Sequence, residues 1–225
     1  MLSIIATPIG NLGDVTLRAI ETLKKCDAIV CEDTRVTGNL LKQLNIDKKA
    51  LMSFHGHTTS EKVDAIVRRL ENGEHLALVS DAGTPGISDP GYALVSKVRE
   101  HGIPIEVVPG PSAFLAALSA SGLPINHFVY LGFLPLKKGR KTLLASFSNE
   151  ERTIVFYESV HRIERTLNEL AEALKEQPDR PIVIARELTK MHEEMISTTV
   201  NELPHVAQSI MKKGEFVVMI GASTH

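Results

Sequence analysis

The chain has 225 residues, 43% of them hydrophobic and 23% charged, with a formal net charge of −2. That is enough apolar material for one large packed domain or two small ones, and too little positive charge for the whole molecule to bind nucleic acid electrostatically. Cys26 and Cys31, the only cysteines, make a poor disulfide framework, and a reducing cytoplasm is the simplest setting; the absence of tryptophan and the 4% aromatic content argue against a base-stacking platform of the RRM kind, and no apolar run of ~18 residues offers a transmembrane helix. The opening MLSIIATPIG carries no basic segment ahead of its apolar run, so Leu2 to Ala6 reads as a first strand and not as a signal peptide. Thr16 to Lys25 places Leu17, Ile20 and Leu23 on one helical face, and Ala28 to Cys31 is the next strand. Arg35 to Leu44 is a second helix with Asp33 or Thr34 as its cap. Ser60 to Glu71 is amphipathic through Val63, Ile66, Val67 and Leu70. Leu76 to Val79 and Ile105 to Val108 are strands, Tyr92 to Glu100 is a helix between them, and another helix surrounds Phe114 to Leu118. Alternation of helices with unbroken apolar strands predicts a parallel sheet covered on both faces.

At Ser121-Gly122-Leu123-Pro124 the pattern changes. Strands follow at Phe128 to Leu131, Ile154 to Phe156 and Ile182 to Ala185, with a long helix from Ile163 to Leu174. Met195 to Val200 alternates as an antiparallel strand does, Val206 to Met211 is helical, and Phe216 to Ile220 is a closing strand. The expected organisation is two α/β domains, residues 1–121 and 122–225, the second with a mixed sheet, and a cleft between them as the ligand site.

Ser80 to Gly91, SDAGTPGISDPG, is the most shaped segment, with Gly83, Gly86 and Gly91 beside Pro85 and Pro90. It follows a buried strand, at the sheet end where open α/β folds bind ligands. A plain strand-to-helix turn capped by Asp81 or Asp89 is the simpler alternative. Thr7-Pro8-Ile9-Gly10 and Pro109-Gly110-Pro111-Ser112-Ala113 are comparable loops after other strands. None of the three contains Lys or Arg, and neither G-x-x-x-x-G-K-[ST] nor G-x-G-x-x-G occurs in the chain. The loops therefore suit a zwitterionic, partly apolar cofactor better than a polyphosphate. His55-Gly56-His57 lacks further ligands at metal spacing, and Pro-Gly-Pro-Ser is not a hydrolase elbow. Asp81-x-Gly-Thr leaves open an aspartyl phosphotransferase reading, although Gly83 stands where that chemistry wants a second acid.

ATPIGNLGDVTLRA, CEDTR, SDAGTPGISDPG, VPGPSAFLAALSASGLP, GFLP with a basic segment after it, FYESVHRI and ARELTKMHEE run through nearly the whole chain. In that order they resemble the class III, tetrapyrrole-methylase-like S-adenosylmethionine methyltransferases, and among these the bacterial enzymes that methylate a cytidine 2′-oxygen in 16S ribosomal RNA of the small subunit. The resemblance implies two α/β domains, S-adenosyl-L-methionine in the cleft between them and a homodimer, which joins the cytoplasmic setting and the lack of a membrane span expected from the composition. It implies cofactor contacts from Pro8 and Ile9, from Asp81, Gly83, Thr84, Ile87 and Ser88, from Ser112 and Ala113, and from Tyr157, Ala185 and Arg186. Relatives usually continue past the strand matching Phe216 to Ile220 into a helical tail, whereas this sequence ends at Gly221-Ala222-Ser223-Thr224-His225, so substrate contacts of such a tail are left open. A different acceptor, such as a tetrapyrrole, and a non-catalytic RNA-binding module remain alternatives.

Methyl transfer to a ribose oxygen needs an aligned hydroxyl and a destination for its proton. Glu158, Glu187, Lys190 and Asp33 are the candidates, each with a salt bridge or a helix cap as its structural alternative. A charged Lys190 would instead stabilise a developing alkoxide. Lys137-Lys138-Gly139-Arg140-Lys141 is the expected RNA contact, with a solvated loop as the alternative, and Arg35 and Arg186 are further phosphate ligands. The mild net charge predicts weak affinity for free RNA and a folded small subunit as the substrate.

Overall fold

In the computed structural model residues 1–223 are described, and the chain divides into two compact units, Met1–Ser112 and a second beginning at Ala113. In the first, strands β1 (Leu2–Ile5), β2 (Ala28–Cys31), β3 (Ala50–Ser53), β4 (Leu76–Val79) and β5 (Ile105–Val108) form one sheet in the order β3-β2-β4-β1-β5. Every pairing in it is parallel. The runs of the interior strands β2 and β4 are apolar throughout because successive residues serve opposite buried faces. Ile5, Ile29, Cys31, Ala77 and Val79 pack with residues of α1 (Leu17–Lys25) and α2 (Thr34–Gln43). Leu2, Ala28, Val30, Leu76 and Leu78 pack with α3 (Ser60–Glu71) and α4 (Gly91–Glu100). Thr16 caps α1 by accepting from the Ala19 N–H, and Asp33 caps α2 by accepting from the Arg35 N–H. Strand β3, absent from the expected elements, lies at the sheet edge and is exposed or half-buried along its length, and its apolar run, Ala50-Leu51-Met52, ends at Ser53.

The connection from β1 leads toward β2, and that from β4 leads the other way, past β1 to β5. The two loops therefore leave toward opposite faces of the sheet. Such a switch point opens a crevice at the carboxyl ends of its strands.

The second unit begins with α5 (Ala113–Ala120) and contains β6 (Phe128–Phe133), α6 (Arg140–Ser146), β7 (Thr153–Ser159), α7 (Ile163–Ala173), β8 (Pro181–Arg186), β9 (Glu194–Thr199), α8 (Leu203–Ser209) and β10 (Glu215–Ile220). The sheet order is β6-β7-β10-β8-β9, with β6 and β7 parallel and the other pairs antiparallel. Phe156, Ile184, Phe216 and Val218 meet α7 and α8 on one face. Val155, Val183, Val217 and Met219 meet Phe114, Ala117 and Leu118 of α5 on the other. This packing puts α5 in the second unit, so the units divide at Ser112 and not at the Ser121–Pro124 segment where the composition changes. Helix α8 starts ahead of the expected Val206 because Pro204, which fits the first turn of a helix, sits there. Among the described residues no helix is long and apolar enough to cross a membrane.

Candidate functional site

Three loops of the first unit are tied together at the switch point. Thr7 and Gly83 exchange backbone hydrogen bonds of 2.9 and 3.0 Å, an isolated bridge between the loops after β1 and β4. Thr7 Oγ1 donates to the Ser80 carbonyl at 3.1 Å, and Thr84 Oγ1 donates to the Pro111 carbonyl at 3.2 Å, adding the loop after β5. A Cβ on Gly110 would lie 3.0 Å from the Ala6 Cβ, so only glycine lets the first and third loops approach this closely. The Asp33 N–H donates to Asp81 Oδ1 at 3.0 Å and joins the loop after β2.

The long loop holds an uncommon backbone path. Gly83, Gly86 and Ser88 have φ of 80°, 86° and 62°. Ser88 is the informative one, since a non-glycine residue in this region stores strain, which concentrates at functional sites. Asp89 sustains the path: Oδ2 accepts from the Gly86 N–H and Oδ1 from the Gly91 N–H, both at 2.7 Å. Asp89 was not among the expected site residues, although the Asp-Pro-Gly triplet is a turn signal. Glu32, Phe54, Ser80 and Asp89 contribute to the lining of a small crevice here. The Glu32 carboxyl is pushed up, first by burial and then by the Asp81 and Asp89 carboxylates.

These features fit S-adenosylmethionine. The cluster offers backbone polar groups, hydroxyls and carboxylates beside the apolar Ile9 and Ile87, and no cation in the three loops. A cationic, zwitterion-bearing ligand is matched by that set, and a polyphosphate is opposed by it. Pro8, Thr84 and Ser112 are half-buried, Ile9 is buried at the root of its loop, and Asp81, Ile87 and Ser88 are exposed. Gly83 is buried, with space for a Cβ only 3.5 Å from Ile9 Cγ2. Ala113, half-buried, begins α5.

In the second unit, the loop after β8 is also strained, with φ of 52° at Glu187 and 66° at Thr189. Lys190 Nζ donates to Glu187 Oε1 at 2.8 Å and to Glu215 Oε2 at 2.9 Å. Burial pulls the Lys190 ammonium down, but the hydrogen bonds and charges of those two carboxylates outweigh it and the net shift is upward. Glu187 is held below the usual carboxylate range, chiefly by Lys190. Lys190 is thus an ammonium at neutral pH, poorly suited as a base, with two of its three donors on carboxylates. The stability it contributes is fully present below its unfolded value near 10.5 and lost as pH rises through the higher folded value. Lys190→Met should therefore lower the melting temperature by the same amount at pH 6, 7 and 9, with the gap closing at more alkaline pH; a gap that closes near neutrality would restore Lys190 as a base.

Several charged residues expected at the site have structural partners instead. Glu158 is 1% exposed; its carboxylate accepts from the Arg162 Nε at 2.8 Å, from Thr166 Oγ1 at 2.7 Å and from the Ser159 N–H at 2.7 Å. Arg140 is 3% exposed and donates to Glu169, Thr166 Oγ1 and the Pro135 carbonyl, so it anchors the basic segment from inside and does not face RNA. Arg186 is 5% exposed and its guanidinium is bound to Glu194 and the Lys213 carbonyl, so its side chain is not displayed for an RNA phosphate. Ala185 lies buried in the apolar cluster with Val217 and Met219. Asp33 caps α2 and is gripped by the Arg35 guanidinium, which holds its carboxyl down to about 2 and leaves it without the basicity to accept a proton. Arg35 itself is exposed, as are Lys137, Lys138 and Lys141. The Tyr157 hydroxyl accepts from the Phe114 N–H at 3.3 Å.

The sequence profile of the tetrapyrrole (corrin/porphyrin) methylases matches residues 1–204. The chain belongs to the tetrapyrrole methylase family. Among its relatives, this methylase is 46% identical over 222 residues to the ribosomal RNA small subunit methyltransferase I of Mesorhizobium japonicum, covering 98% of this chain and 74% of that protein. It is 43% identical over 219 residues to the protein of the same name from Thermotoga maritima, covering 97% of both. The structure of a cobalt precorrin-4 methyltransferase has the same fold, with a TM-score of 0.71 over 98% of this chain and 94% of that one at 19% identity. The fold is thus common to tetrapyrrole methylases whose sequences have diverged widely.

Proposed function

We propose that this protein transfers the methyl group of S-adenosylmethionine to the 2′-oxygen of a cytidine ribose in 16S ribosomal RNA, acting on the small subunit as a cytoplasmic homodimer. The observation that carries the reading is the 46% identity over 98% of the chain to a ribosomal RNA small subunit methyltransferase, against 19% to the precorrin enzyme with the same fold. An aspartyl phosphotransferase does not share this ancestry.

When bound, S-adenosylmethionine would supply an activated methyl group, with S-adenosylhomocysteine as the leaving group and solvent water as the acceptor of the 2′-hydroxyl proton. The chain's own part is positioning. The loops carrying Pro8 and Ile9, Asp81 to Ser88, and Ser112 and Ala113 hold the cofactor, and Asp89 keeps the long loop in its binding shape. Lys190 provides a fixed positive charge for a phosphate or for the oxygen as it loses its proton. Lys137, Lys138 and Lys141, displayed by the buried Arg140 anchor, meet RNA phosphates.

Incubation of unmodified small subunits with labelled cofactor, followed by mass mapping, should place one methyl on a cytidine ribose. Label on a base, or transfer to a precorrin in preference to the subunit, would refute the reading. Changing Lys137, Lys138 and Lys141 together to alanine should weaken subunit binding and reduce the log–log salt dependence of affinity by ~0.7 for each phosphate that is no longer neutralised. An unchanged salt dependence would remove this segment from the interface.

A further inference from the structure

Phe133 closes β6 with 53% of its surface exposed. The β6–β7 pairing shifts between Tyr130 and Phe133, and Gly132 has a φ of 60° there. Irregularities of this kind re-aim side chains. The Tyr157 ring lies 5.6 Å from the Phe133 ring at 49°, and the Arg162 guanidinium carbon sits 6.0 Å from the Phe133 centroid. Arg162 is itself fixed, pairing with buried Glu158 and donating to the Leu134 carbonyl at 3.0 Å. The ring is therefore held from beneath while much of it stays open to solvent. Within a few residues, Leu136 is 67% exposed and Lys137, Lys138 and Lys141 are exposed.

We propose that Phe133 is a stacking platform for an unpaired base of the RNA substrate, with the phosphates flanking that base held by the neighbouring lysines. The inference rests on the RNA reading above. A π-face beside clustered ammonium groups complements single-stranded RNA, whose bases stack on aromatic rings while its backbone requires cations. A protein partner is disfavoured because lysines are depleted from protein interfaces.

The chain has no tryptophan, so Phe133→Trp introduces a unique fluorophore. In low salt, a single-stranded, cytidine-containing oligoribonucleotide should quench it, and inorganic polyphosphate bound to the same lysines should not. Phe133→Ala should lower oligonucleotide affinity by roughly tenfold with an unchanged salt slope, and Phe133→Tyr should restore it. If the triple lysine variant loses RNA binding while Phe133→Trp is not quenched, or is quenched equally by polyphosphate, the stacking proposal fails and the RNA reading stands. If the wild-type protein binds neither oligonucleotide nor small subunits, both fail.

Discussion

Asparagine in place of Asp89 is expected to weaken S-adenosylmethionine binding by at least about tenfold while the melting transition moves little. The Asp89 carboxylate uses both oxygens, one on the Gly86 N–H and one on the Gly91 N–H, each at 2.7 Å. An asparagine has a single acceptor oxygen, and its amide N–H would face one of those donors. Losing a charge-assisted hydrogen bond costs about 1.5–3 kcal/mol, which is roughly 10- to 150-fold in the population of the clamped loop. These two bonds tie the Gly86 end of the turn to its Gly91 end, so losing one depletes the binding-competent shape directly. The β-sheet beneath is untouched. Gly91→Ala should act in the same direction, since its Cβ would stand 2.8 Å from Asp89 Oδ1 and 3.1 Å from the Gly86 nitrogen. Calorimetry with the cofactor and a thermal melt on the same samples make the check. Wild-type affinity in Asp89→Asn would mean that the long loop is not the binding element.

Removing the Glu158 carboxylate should have the opposite profile, with a large loss of stability and no change in the shape of the activity–pH curve. Its side chain is fully enclosed and serves Arg162, Thr166 and the Ser159 N–H, and Thr166 also accepts from Arg140. Glu158→Ala leaves the half-buried Arg162 guanidinium without its counter-charge and Thr166 Oγ1 and the Ser159 N–H without their buried acceptor. Breaking a buried pair in this way typically costs about 3–5 kcal/mol, several times the worth of an exposed helical ion pair. Urea titration measures the loss. Activity per folded molecule should retain its pH dependence, whereas the disappearance of one titrating limb with near-normal stability would return Glu158 to the role of proton acceptor.

The sheets were legible because burial on both faces writes itself as apolar runs such as Leu76-Ala77-Leu78-Val79. Edge strand β3 was not, since its apolar run, Ala50-Leu51-Met52, is short and stops at Ser53. The ligand-binding end of the first sheet was marked by Gly and Pro, whose backbone constraints are local and therefore visible in one dimension. The fates of the charged residues were not visible. Arg140 and Lys138 stand in one basic run, yet only Arg140 meets Glu169, twenty-nine positions away, and turns inward. Likewise the Asp33 and Glu32 carboxylates are adjacent in sequence and move in opposite directions, one gripped by Arg35 and the other raised by burial and by carboxylates of the β4 loop. Such outcomes depend on partners brought by folding, and residue type alone does not disclose them.

Strand β10 sits in the middle of the second sheet although it follows every other strand in the chain. During synthesis, all strands of the first unit emerge before β6 does. The second unit lacks its central strand at that stage: β6 with β7 forms one ribbon, β8 with β9 another, and β7 and β8 each present an open hydrogen-bonding edge until Glu215–Ile220 arrives to join them. A nascent chain stalled ahead of Glu215 would thus carry a finished first unit and two sticky half-sheets, the kind of exposed edge that recruits chaperones or aggregates. Vectorial synthesis makes β10 the keystone of the second unit, inserted last and locking both halves at once.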